Sequence, residues 1–84
     1  MHIGGYYVTA IEDIGIERED RNGNTEICKG YYCQVYENED LRNEVDNFCL
    51  AVGYEIEDMS EASLEAGIRN YMGEGETEGF TQQM

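Results

Sequence analysis

The residues best suited to chemistry are Cys28, Cys33, Cys49, His2, a glycine-centred run Asp20-Arg21-Asn22-Gly23-Asn24 and nineteen Asp and Glu side chains. The run has the look of the middle of a calcium-binding loop. If Gly23 takes the sixth position, however, Arg18 stands at the first ligand position and Lys29 at the twelfth, both of the wrong charge. Asn22-Gly23 is also a strong signal for a tight hairpin turn, and turn chemistry accounts for the same residues.

Zinc needs four ligands in a closed site. Cys28 and Cys33 are five residues apart, so on a regular strand they point to opposite faces. With His2 at a loose terminus, neither a zinc site nor a Cys/His nucleophile pair is expected. An odd number of cysteines leaves at least one thiol unpaired, and reduced packing thiols are expected. Gly4-Gly5 and Gly73-Glu74-Gly75 lack the strand-to-helix context and lysine of a phosphate loop. General-acid catalysis by paired carboxylates needs one of them in an apolar pocket, whereas these acids fall on solvent faces. No cofactor, no metal and no enzymatic activity are expected.

What is left is the acidity. The 84 residues carry a formal charge of -14 with no proline and no tryptophan. Residues 1–36 hold six acids against three bases, and residues 37–84 hold thirteen against Arg42 and Arg69. Direct binding to nucleic acid is excluded, because counterion release needs lysine and arginine along the backbone. A surface of this sign suits a basic protein partner with a nucleic-acid-binding groove. The acids expected on ordered backbone, and so the candidate partner-binding residues, are Glu37, Glu39, Asp40, Glu44, Asp46, Glu55, Glu57, Asp58, Glu61 and Glu65. In size and charge the chain resembles the small proteins of phages and mobile elements that block restriction or CRISPR nucleases. That resemblance implies a non-enzymatic nucleic-acid mimic acting as an inhibitor. The alternative is a cytosolic adaptor or antitoxin-like assembly module, which as a homodimer would complete a sheet through a hairpin edge. No signal-peptide pattern and no membrane-length apolar run are present, so a cytoplasmic protein without membrane contact is expected.

The elements that must position these acids are read from periodicity. A two-residue loop at Asn22-Gly23 makes facing residue numbers sum to 45. One hairpin face then holds Val8, Ala10, Ile14, Ile16, Lys29, Tyr31, Cys33 and Val35, with Ile16 opposite Lys29 and with Gly15 opposite Gly30 as the place for a bend or bulge. The same register sets Glu19 against Glu26, a like-charge pair. Leu41, Val45, Phe48, Cys49 and Val52 recur at helical spacing and predict a first helix over 40–52 with Gly53 just past its end. Tyr54 and Ile56 then alternate as a short third strand would. Ser60 is an N-cap for a second helix over 61–72, with Leu64, Ile68, Tyr71 and Met72 as its apolar stripe. The expected fold is therefore α+β. One small two-layer domain over 1–72 packs a long antiparallel hairpin on two helices, with Phe48 and Ile68 central. Residues 73–84 read as a mobile acidic Gly/Glu tail with Phe80 as its docking side chain.

Overall fold

A computed structural model describes residues 1–73. Four antiparallel strands follow one another across a single sheet: β1 (His2–Ile3), β2 (Tyr6–Glu19), β3 (Thr25–Tyr36) and β4 (Glu44–Ala51). One helix, α1 (Glu61–Tyr71), completes the fold. The sheet curls into a half-barrel and α1 lies against one face of it. The expected tail beyond Gly73, Phe80 included, lies outside the described residues.

The two-helix layer is overturned, because the segment expected to be helix one is the edge strand β4. Leu41 and Asn43 both take left-handed backbone (φ 59° and 58°), which makes the β3–β4 connection a turn and prevents a right-handed helix from starting there. From Glu44 onward the chain pairs with β3, Phe48 opposite Cys33 and Leu50 opposite Tyr31. The alternation of Phe48 and Leu50 buries both, and it is a period of two rather than 3.6. Leu41 and Val45, placed on the helical stripe by their spacing, are exposed. Gly53 does take positive φ (92°), but in a turn after a strand. Tyr54–Ile56 forms no strand: Ile56 makes one isolated bridge with Val52 and buries its side chain in the core.

The hairpin of β2 and β3 is present with a longer loop than two residues. Asp20 builds it. Its Oδ1 accepts from the N–H groups of Asn22 (2.8 Å) and Asn24 (2.9 Å), while its own N–H donates to the Asn24 carbonyl. Gly23 supplies the positive φ (87°). The longer loop moves the register off the expected one. Ile16 faces Cys28 and Arg18 faces Glu26, so an opposite charge replaces the like-charge pair. A bulge lies where one was expected, with Ile14 and Gly15 together opposing Lys29, but Gly30 faces Asp13 and not Gly15. The bulge turns Ile14 out to solvent, 82% exposed. Beyond it the hairpin bends back until Ile16 lies over Gly30 and Ala51.

The core is built from Ile3, Val8, Cys33, Val35, Phe48, Leu50, Ile56, Leu64 and Ile68. The N-terminus is not loose: Ile3 is fully buried, and Met1 and Val8 exchange both backbone hydrogen bonds. The helix starts as read from the sequence. Ser60 caps it by accepting from the Ser63 N–H, and Gly73 just past its end has φ 78°. Gly67 lets α1 sit close to the sheet, since a Cβ there would meet Ile56 at 2.6 Å and Leu50 at 3.2 Å. Phe48 stacks on Tyr71 with ring centroids 3.8 Å apart, which fastens the last turn of α1 to β4.

Candidate interaction surface

The ten acids singled out by sequence do not form one patch. Glu37, Glu39 and Asp40 occupy the turn at one end of the β3–β4 pair, and Glu44 and Asp46 begin β4. Glu55, Glu57 and Asp58 lie in the connection beyond the other end of β4, a strand length of about 26 Å away. Glu61 and Glu65 stand on the first turns of α1.

Most of them are engaged in holding the fold. Glu55 accepts from the Ala51 N–H (2.8 Å) and from Arg18 Nε (3.0 Å). Arg18 reaches further and donates to the Cys49 carbonyl (3.1 Å), so one arginine ties the far half of β2 to the outer side of β4. Asp46 accepts from its neighbour Asn47 N–H and from the Tyr71 hydroxyl (3.0 Å), and that second bond pushes the Tyr71 phenol pKa up. Glu44 accepts from Gln34 and Asn47 side chains, and Glu37 from Asn43. Asp58 accepts from both the hydroxyl and the N–H of Ser60. The hydroxyl bond is the larger cause of its lowered pKa. Glu65 pairs with Arg69 one turn along at 2.8 Å. Glu39 has only a 3.7 Å approach from His2, and Asp40 a 4.0 Å approach from Arg42. Among the described residues, the side chains of Glu57 and Glu61 have neither a hydrogen bond nor an ion pair.

Sequence reasoning missed the structural role of Arg18 and of the first-half acids. Tyr54 donates a hydrogen bond to Glu26, which drives its phenol pKa up to about 12. Nothing in a spacing pattern joins residues 28 positions apart, and only the bent hairpin brings them together.

The thiols stand apart. Cys33 is buried in the core and burial raises its pKa to about 12, while Cys28 and Cys49 are half-buried on the other face of the sheet. Among the described residues no group of three or more His, Cys, Asp or Glu is placed to hold a metal ion. A groove of about 610 Å³ runs between the 55–57 segment and α1, floored by Ile56, Ala62, Ala66 and Gly67 and rimmed by Glu57 and Arg69. No helix among the described residues is long and apolar enough to cross a membrane. No family model, curated protein or solved structure matches this chain.

Proposed function

We propose that this chain is a small non-enzymatic acidic protein of the cytoplasm that binds a basic, nucleic-acid-binding surface of a partner protein, in the manner of a DNA- or RNA-mimicking inhibitor. The observation that supports it is charge per length. The described residues carry sixteen acids against five bases. Two of those bases, Arg18 and Arg69, are already held by Glu55 and Glu65. The fold is 40 Å in its longest dimension, and one strand of B-DNA presents about 12 phosphates over that length. The excess of eleven acids is therefore close to the charge of one nucleic-acid strand. Glu39, Glu57 and Glu61, the least committed of the candidate acids, are the ones best placed to meet a partner's arginine and lysine side chains. Glu55 serves the fold and is a poor contact residue.

The test is competition. A labelled duplex is bound to each of several basic nucleic-acid-binding proteins, and its release by this chain is followed by fluorescence anisotropy at two salt concentrations. Release that weakens with salt is expected, and Glu39→Lys/Glu57→Lys/Glu61→Lys should slow capture and flatten the salt dependence while circular dichroism stays unchanged. Absence of release at low salt, or an identical salt slope in the triple variant, would reduce the acidity to a solubility feature.

A further inference from the structure

The two edges of the sheet are treated differently. On β4 the odd-numbered residues turn their backbone groups outward, since Val52 N–H, of even number, donates inward to Lys29. Those outward groups are largely occupied. Asn47 N–H donates to the Asp46 side chain, Cys49 carbonyl accepts from Arg18, and Ala51 N–H donates to Glu55. The Ala51 carbonyl accepts from the turn that follows. An incoming strand finds few free groups there.

The β2 edge has no such cover. β1 pairs only with Tyr6 and Tyr7, and the exchange between Met1 and Val8 is the last on that side. Register with β3 is regular from Tyr7 to Asp13, so alternation points the N–H and C=O groups of Ala10 and Glu12 to the same outer side as those of Val8. Among the described residues no strand lies on this outer side of β2 from Thr9 to Glu19, where β3 is the neighbour on the other side. Along this edge stand Glu12, Asp13, Glu17 and Glu19, together with Ile11, 62% exposed. The one base in the segment, Arg18, is drawn away to Glu55 and the Cys49 carbonyl.

We propose that the β2 edge, centred on Ala10 to Glu12, takes up an extended cationic segment of a partner protein by strand addition. Charge complementarity selects the occupant. A second copy of this chain would bring four acids of one edge against four of the other, and like charges on facing strands oppose pairing. A segment alternating arginine or lysine with apolar residues sets its cations beside Glu12 on one face and its apolar side chains beside Ile11 on the other. Backbone hydrogen bonds to Ala10 and Glu12 supply the affinity, and the acids supply the selection. The inference shares with the proposed function only the sign of the partner's charge. It uses a different surface.

The experiment uses the whole chain and a short synthetic peptide alternating arginine and valine. Backbone amide shifts and hydrogen exchange are followed by NMR, against two analogues N-methylated on one backbone edge or on the other. Binding is expected with protection of the Ala10 and Glu12 amides. N-methylation of the pairing edge should weaken it by about tenfold or more, and methylation of the far edge should leave it unchanged. Equal binding of the two analogues would reduce the contact to undirected charge attraction and overturn the proposal. So would perturbations confined to residues 37–65, or no binding at all. Light scattering of the chain alone giving a dimer with those amides already protected would assign the edge to a second copy instead. Competition for a nucleic-acid groove reports on Glu39, Glu57 and Glu61, so either reading can fail without the other.

Discussion

Replacing Gly30 by alanine is the sharpest single test of the bent sheet. Gly30 sits where β3 meets Ala51 of β4 and where Ile16 folds over from β2. A Cβ built there would lie 1.9 Å from the Leu50 carbonyl oxygen, 2.9 Å from Ala51 Cα and 2.9 Å from Ile16 Cδ1. The isoleucine end can turn aside, but the other two atoms are backbone and can retreat only by separating β3 from β4. Overpacking by itself costs about 1–3 kcal/mol. Losing a pair of ladder hydrogen bonds adds about 1 kcal/mol for each. The sum, roughly 3–5 kcal/mol, is a large share of the stability of a domain this small, at about 0.05–0.15 kcal/mol per residue. Urea unfolding followed by circular dichroism should give a midpoint far below that of the parent, or no folded baseline. Gly5→Ala is the matched control, since its Cβ would meet nothing within 4 Å, and it should change little. A Gly30→Ala variant that unfolds with the parent would mean that β3, β4 and the folded-back half of β2 do not meet as described.

Three further outcomes follow from the same contacts. Ile68→Ala removes a fully buried side chain from the centre of the core and should cost about 2–5 kcal/mol by urea unfolding, whereas Tyr6→Ala at the exposed edge should cost far less. Ser60→Ala should cost about 1 kcal/mol by removing the cap. Because the Ser60 bonds lower the Asp58 pKa, their contribution is present above the ordinary value of 3.8 and is lost as pH falls through the folded value below it, so the acid limb of a stability profile should lose that step in the variant. For Tyr54 the sign is reversed. Its pKa is raised by the bond to Glu26, so that stabilisation is complete below pH 10 and disappears as pH rises through about 12, and a phenolate absorbance titration should lose its highest-pH tyrosine in Glu26→Ala. An unchanged titration in that variant would remove the Tyr54–Glu26 bond from the account.

The helix at Ser60 was legible because its signals are local: a capping serine, an apolar stripe and a closing glycine all act within a few residues of one another. The hairpin was legible for the same reason. Its face of Val8, Cys33 and Val35 survives a register error of two, because a shift of two leaves each side chain on its own side. The segment from Leu41 to Val52 was misread because short apolar patterns satisfy more than one period. The helical stripe took in Leu41, 50% exposed, and left out Leu50, 1% exposed. Two facts argued for a strand: Asp46 and Asn47 are weak helix formers, and the far side of a twelve-residue β3 needed a partner. The site fared worse. Counting acids along the chain treats each as free, but Asp58 is consumed by its near neighbour Ser60, and Glu55 and Asp46 by Arg18 and Tyr71, partners that only the tertiary fold brings to them.

The order of the strands bears on how the chain reaches this state. Each strand lies beside its sequence neighbour, so the sheet forms by successive closures of short turns, with none of the slow search that a crossover strand imposes. Among the side-chain hydrogen bonds, those that span most of the chain belong to Arg18, to Glu55 across 37 positions and to the Cys49 carbonyl across 31. These have value only after β4 has docked, which makes the clasp over the β4 edge a late event. Until it closes, the nascent sheet shows both edges open, and the acids along β2 and β4 are what keep one growing chain from pairing with the next.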